Sequence, residues 1–354
     1  MRTLTTATIL AERLRRQGLT EPVGPDGYLD LFAALQPLET VANTRPGDPP
    51  RLVHRTCFDD GQYADELRGR RGIVKGRFQS GRIAYALAQD LALYATAFRR
   101  PLAQLSEPQR IVLDTLRERG PLTPRQLKQE TGRLNKELMP ILHRLQEAFL
   151  VFEDQADSDW ERGWYDFATE WPDANIDVTA RQEAVAQVLL RFLHAHVFAT
   201  LEQVRDWSGL PTATLPPALA TLEGQGAIIR YSVPDLGDGW LRQEDVGLPN
   251  AVVPDSTFML HAGDPLVRAA ASELKRRYGE YEVLQYLLID GIFAGVVTGH
   301  WRIGPHDVDD IVVGLPPSDS ERRHDEIIAA VATIYHAPDH RILRYVGTEV
   351  NGVA

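Results

Sequence analysis

The chain has 354 residues, 44% of them hydrophobic and 25% charged, with a formal net charge of −11. That length favours two or three domains, no apolar run is long enough to span a membrane, and the acidic sum excludes a generic nucleic-acid coat. Cys57 is the single cysteine, which excludes a disulfide framework and a cysteine-based metal site; without a signal-peptide-like start, the expected location is the reducing cytoplasm.

Taken in chain order, the first hundred residues read as helices: Thr8 to Gln17, ended by Gly18, then Leu29 to Leu35, then Ala84 to Ala97. Between the last two lies RGRRGIVKGRFQSGR, from Arg68 to Arg82, with six basic residues and no acidic one. On an acidic body such a run suits a face that grips a polyanion, so Arg68, Arg70, Arg71, Lys75, Arg77 and Arg82 are candidate phosphate contacts. Smaller basic clusters occur at Arg13, Arg15 and Arg16, and at Lys275, Arg276 and Arg277.

From Glu107 onward the pattern is helix, helix, glycine turn, helix, then strand. Ile111, Val112, Leu113 and Leu116 stripe the first helix, Thr123 can cap the second with Pro124 in its first turn, and Gly132 follows its end. The third carries Leu138, Ile141, Leu142 and Leu145, and Leu150 to Phe152 begins a strand. An ungapped shift of 77 residues repeats the unit, pairing Leu127 with Val204, Gly132 with Gly209, Leu138 with Leu215, Pro140 with Pro217, Leu142 with Leu219 and Leu145 with Leu222. That order is the order of a winged helix-turn-helix, here in tandem. Pro140 and Pro217 read as first-turn residues of the third helices. The second of these helices, TATLPPALATL, has no basic residue, so that unit reads as a packing module and not as a reader of base edges.

Beyond a turn-rich stretch after Val233, the apolar runs on either side of Asp290-Gly291 predict a hairpin; Asp310 to Leu315 predicts a strand and Asp325 to Tyr335 a helix. The expected fold is mainly α with α+β parts: a helical domain over 1–104, winged helices over 105–178 and 179–262, and a small α+β unit over 263–354.

Four stretches, ILAERLRRQGL, LFAALQPLETVANTRP, FMLHAGDPLV and LKRRYGEYEVLQYLLIDGIFAGVV, resemble in content and order segments of the AlkZ/YcaQ group of winged-helix DNA glycosylases. The resemblance implies a double-stranded DNA partner, alkylated or crosslinked, and cleavage of the N-glycosidic bond of N7-alkylated purines. Such a purine is already cationic and leaves without much acid assistance, so what remains is to stabilise an oxocarbenium-like sugar and to place a water. The second stretch resembles the catalytic segment, which implies Glu39 as the carboxylate with Gln36 as a nearby amide. Asn43 and Arg45 would then face phosphates flanking the lesion. Two positions depart from the family pattern: Pro37 stands where the family has glutamine, and Ala84 where it has histidine. A non-catalytic DNA-binding or regulatory protein on the same scaffold is the alternative.

Other constellations read as structural. His300, His306, Asp307, Asp309 and Asp310 match no zinc spacing, Cys57 reads as packed, and Trp160, Trp164 and Trp171 read as packing aromatics before stacking platforms. No Walker or Rossmann glycine pattern occurs, so neither a nucleotide cofactor nor any other is expected.

Overall fold

The computed structural model describes residues 4–40, 48–154, 162–177, 179–302 and 304–350. Helix α1 (Thr6–Arg16) is capped by the Thr5 hydroxyl, and α2 (Tyr28–Leu35) ends where Gln36 turns extended before Pro37. Helix α3 (Gly61–Gly69) leads into a hairpin of β1 (Ile73–Phe78) and β2 (Arg82–Leu87), followed by α4 (Leu91–Phe98). The hairpin corrects the expectation of an all-helical N-terminal region, because Ala84 to Leu87 is strand and the helix starts only at Leu91. Its two faces are both covered. Val74, Phe78, Ala84 and Ala86 enter the main core, while Ile73, Tyr85 and Leu87 pack against α2 and α3.

The repeated units then appear with residue-level agreement. In the first, α5 (Glu107–Arg119), α6 (Pro124–Thr131) and α7 (Asn135–Glu147) precede a hairpin of β3 (Val151–Glu153) and β4 (Trp164–Asp166) and the short α8 (Phe167–Glu170). In the second, α9 (Arg181–His196), β5 (Phe198–Ala199), α10 (Leu201–Ser208), α11 (Leu215–Gly224), β6 (Ile228–Val233) and β7 (Gly237–Arg242) follow in the same order. Thr123 and Thr200 both form capping boxes, with Gln126 and Gln203, and Gly132 and Gly209 both end their helices in the left-handed region. Pro140 departs from its first-turn reading. It lies inside α7, where its position is solvent-exposed, so the carbonyl it leaves without an N–H partner can meet water. Pro217 does fall in the first turn of α11.

The two units are used differently. The first has its own core of Leu116, Leu127, Leu138, Leu142, Leu145 and Trp164. In the second, Leu189, Val204, Trp207, Leu215 and Leu219 merge with the β1–β2 hairpin and α4 into the main core.

After β8 (Thr257–Leu260) come α12 (Pro265–Ala269) and α13 (Ala271–Tyr278), then the expected hairpin of β9 (Val283–Ile289) and β10 (Ile292–Thr298). Strand β11 (Asp310–Val313), helices α14 (Pro317–Arg322) and α15 (His324–Ala332), and strands β12 (Arg344–Tyr345) and β13 (Thr348–Glu349) complete the chain. The sheet order is β13-β12-β11-β10-β9-β8, antiparallel except between β11 and β12. Ile327 and Val331 of α15 cover one face, against Leu287 and Val297. Leu14 of α1, Val267 of α12 and Leu274 of α13 cover the other, against Leu288 and Val296. Alternation along the strands separates the two sets. No helix among the described residues is long and apolar enough to cross a membrane.

Helix α1 also reaches the second unit. The buried Arg13 guanidinium donates to the carbonyls of His196 and Phe198, both at 2.9 Å, and so satisfies the end of α9. Arg13 is therefore structural, and Arg16 pairs with Glu12 and Asp245, which removes this cluster from the list of free cations. His196 is 3% exposed, stacks on Phe192 at 4.9 Å, and has no hydrogen-bond partner for either ring nitrogen among the described residues. Burial, with the Arg13 charge beside it, holds its pKa well below the ordinary imidazole value. As pH falls below about 6.5 the unfolded chain takes up this proton and the folded one does not, so stability declines by up to about 1.4 kcal/mol per pH unit from this group. Urea unfolding at pH 7.5 and 5.5 will show His196→Leu losing about 1.4 kcal/mol less over this interval than wild type; equal losses would mean that His196 protonates in the fold.

Candidate active site

The segment after α2 is fixed by two devices. The Gln36 side chain, 1% exposed, accepts from the Leu87 N–H at 2.8 Å and donates to Asp90 at 2.7 Å. Next, Leu38 exchanges two backbone hydrogen bonds with Tyr85, 3.0 and 2.8 Å, adding a short third member to the hairpin. Gln36 is thus a buried pin between α2, β2 and α4, with its amide engaged by the Leu87 N–H and Asp90. Ala84, where the family pattern has histidine, is fully buried in the main core.

Glu39 follows directly and meets two arginines. Arg82 grips both carboxylate oxygens, Nε to Oε1 at 2.6 Å and Nη2 to Oε2 at 2.9 Å, while Arg268 Nη1 donates to Oε1 at 2.8 Å. The Glu39 side chain is 14% exposed, Arg82 48% and Arg268 5%. Arg268 also donates to the Trp207 carbonyl at 2.9 Å and to the Gln79 side-chain oxygen. Burial pulls its pKa down to about 10 against the opposing pull of Glu39, which leaves it charged at neutral pH; Arg82 is held above its ordinary value by the hydrogen bonds to Glu39.

The β8–α12 turn closes the cluster from below. Asp264 caps α12 and is itself paired with the buried Arg55 at 2.8 Å. A Cβ on Gly263 would stand 2.8 Å from that of Glu39, so only glycine allows this approach. His261, two residues earlier, accepts from the Gly263 N–H at 3.1 Å, and burial lowers its pKa, favouring the neutral ring. The hairpin tip seals the side: Ser80, at φ 64°, donates to the Gly209 carbonyl at 2.7 Å. Beside these groups opens a cavity of about 300 Å³ whose lining includes Gln79, Ser80, Arg82, Asp206, Arg268 and Tyr286. Asp206 spends its oxygens on the Ser272 N–H and hydroxyl, at 2.7 and 2.9 Å, and on Arg205. Glu39 is the carboxylate in this cluster held by two guanidiniums, one half-exposed and one buried. With its buried side fixed by Arg268, the carboxylate has its orientation set in advance, which limits the reorganisation needed to orient a water.

Most of the rest of the basic run is paired within the protein. Lys75, 4% exposed, pairs with Glu153 at 2.5 Å. Arg77 donates to Gln146 at 2.9 Å and to the Gly81 carbonyl at 3.0 Å. Arg71 pairs with Glu170 and lies within 5.8 Å of the Phe152, Tyr165 and Trp171 rings, and Arg68 pairs with Asp65 at 2.8 Å. Lys75, Arg71 and Arg77 thus join this region to the first repeated unit in the free protein, while Arg70 and Arg82 remain solvent-exposed. Asn43, Arg45 and Trp160 lie outside the described residues. Trp164 is in the core of the first unit and Trp171 packs on Phe152 at 5.6 Å. Cys57 is exposed, contrary to its packed reading, while His54 turns to the Met259 carbonyl at 3.0 Å. His300 pairs with Glu282 and Asp307 with Arg341, and no group of three metal-binding side chains occurs among the described residues.

Sequence reasoning missed Arg268, Gln79 and Gly263. The available signal for Arg268 was a lone guanidinium inside the apolar run PLVRAAA, a charge that burial obliges to find partners. Removing it takes the buried cation from Glu39 and this donor from the Trp207 carbonyl and the Gln79 oxygen. Arg268→Met will lose about 3–5 kcal/mol of unfolding free energy, whereas Arg82→Met, breaking a half-exposed pair, will lose at most about 1 kcal/mol; denaturant unfolding of the two variants checks the contrast.

The family model described as "DNA glycosylase AlkZ-like" matches residues 64–287, a span that holds Gln79, Arg82 and Arg268 and begins after Glu39. Among solved structures, the Streptomyces sahachiroi DNA glycosylase AlkZ superposes with a TM-score of 0.70 at 14% identity, covering 98% of this chain and 100% of that one. The two share a fold over their whole lengths. The curated proteins searched contain no match. With a family match over more than half its length, the chain belongs to the AlkZ-like DNA glycosylase family.

Proposed function

We propose that this glycosylase releases N7-alkylated purines, or unhooks interstrand crosslinks, from duplex DNA, with Glu39 as its working carboxylate and two tandem winged helices as its scaffold. The observation that carries the reading is the position of Glu39: fixed by the Leu38–Tyr85 pairing, held by Arg82 and Arg268, and set beside a cavity of about 300 Å³. The chemistry asked of it is limited. A cationic purine is a ready leaving group, so the protein's contribution is negative charge facing the developing oxocarbenium ion and a site for the attacking water. A single carboxylate supplies both, which accounts for a site in which Gln36 is buried and Ala84 lies in the core.

The scaffold reading rests on the element order shared by the two units and on their matched caps. Within it the second unit is the packing member, because Leu215, Ala218, Leu219 and Leu222 of its third helix are all buried in the main core. The division into 1–104, 105–178, 179–262 and 263–354 follows from the repeat, with one core running across its first three parts.

The test uses a labelled duplex carrying one N7-methylguanine, with wild-type protein and Glu39→Gln, and counts alkali-labile abasic sites over the spontaneous rate. Wild type will release the base, and Glu39→Gln will lose at least about 100-fold in single-turnover rate. Equal rates would remove Glu39 from the mechanism. No release by wild type, with the duplex still bound, would assign this chain to the non-catalytic binders built on the same scaffold.

A further inference from the structure

The two arginines on Glu39 differ in their freedom to leave it. Arg268 is buried and tied at once to Glu39, to the Trp207 carbonyl and to Gln79, so its departure would open the packing between α10 and the hairpin tip. Arg82 stands at the first position of β2, is 48% exposed, and reaches Glu39 from the cavity side. Its fork meets the carboxylate edge-on with two parallel hydrogen bonds. A phosphate diester offers a guanidinium the same two-oxygen edge. Half-exposed ion pairs contribute little to stability, so exchanging one acceptor for another has a small cost.

As long as Arg82 is in place, Oε1 takes two donors and Oε2 takes one, and the carboxylate's charge is offset by two cations. That is a poor state in which to face a developing oxocarbenium ion. Without Arg82, Arg268 still orients the group through Oε1, and Oε2 loses the side-chain donor it has in the free protein.

We propose that Arg82 is a positioning residue that changes partners: in the free protein it clamps Glu39, and when a duplex binds it passes to a backbone phosphate and uncovers Oε2. The inference rests on the reading of Glu39 as the working carboxylate, but its binding half can be measured without any base release. Arg82 thereby couples occupancy of the DNA site to the exposure of the reactive group, and keeps the carboxylate covered between substrates.

The experiment is a binding cycle on an undamaged duplex, by fluorescence anisotropy over a salt titration, with wild type, Glu39→Ala, Arg82→Ala and the double variant. If duplex binding must break the clamp, Glu39→Ala will tighten binding by about fivefold, the equivalent of a half-exposed pair. Arg82→Ala will weaken binding and reduce the log–log salt slope by about 0.9, one phosphate contact. In the Arg82→Ala background Glu39→Ala will tighten binding much less, because no clamp remains to break. Equal tightening in both backgrounds would reduce the effect to removal of a negative charge near DNA and overturn the proposal, as would an unchanged salt slope. Arg82→Gln, which keeps a polar side chain of similar reach, repeats the cycle should the alanine variant unfold. With the N7-methylguanine duplex, Arg82→Ala will raise the half-saturating protein concentration more than it lowers the plateau rate, and a loss confined to the plateau would mean that Arg82 stays on Glu39 in the complex. Failure of Glu39→Gln to slow release would reject the carboxylate's role while leaving the binding cycle to report on the clamp.

Discussion

The guanidinium of Arg268 is buried, stays charged, and has to place its N–H donors on acceptors or carry a large desolvation cost. It places them on Glu39 from the segment after α2, on Gln79 from the hairpin tip, and on the Trp207 carbonyl near the end of α10. Arg268 itself comes from α12, whose start is locked by the Asp264–Arg55 pair. Four stretches distant in sequence are brought to one point by a single side chain. The site exists only when the whole fold does, because none of these stretches has the carboxylate, its cationic partners and the cavity wall within itself.

The β1–β2 hairpin is the part that the other elements share. One face enters the main core with α4, α9 and α11, and the other meets α2 and α3. Its Lys75 and Arg77 are taken up by the first repeated unit through Glu153 and Gln146, and its tip rests on Gly209 of the second. The two units therefore have unlike duties. Gly132 has open space around its missing Cβ, whereas a Cβ at Gly209 would stand 2.4 Å from the Ser80 hydroxyl oxygen. The same residue at equivalent positions ends a helix in one copy, and in the other also admits the wall of the site.

Much of this architecture could be read from local signals. The repeat, its caps and its glycine turns are set by residues within a few positions of one another, and the β9–β10 hairpin is announced by Asp290-Gly291. What could not be read depended on distant partners. Lys75 looked like surface because its partner Glu153 lies 78 positions away, and a strand pair buried on both faces carried too many charges to resemble one. Gln36 looked available because the Leu87 N–H and Asp90 that occupy it lie on other elements. Glu39 and Arg82 were each identified, but nothing in their local sequence says that they touch. Arg268 went unnoticed for the same reason.

The position of α1 has a consequence for how the chain is made. Its Leu14 packs against Leu260, Leu266, Val267, Leu274, Leu288 and Val296, its Ile9 against Val197, Phe198 and Leu241, and its Arg13 closes α9. These partners are synthesised some two hundred residues after α1 itself. A protein emerging amino-terminus first ordinarily completes its early parts before its late ones. Here α1 can meet the second unit through Ile9 and Arg13, but its Leu14 side has no surface until the sheet of β8 to β10 has formed, so a ribosome-bound fragment lacking that sheet leaves Leu14 uncovered. Strands β8 to β10 hold one side of α1 and the second unit holds the other, so the helix is seated fully only when both are in place.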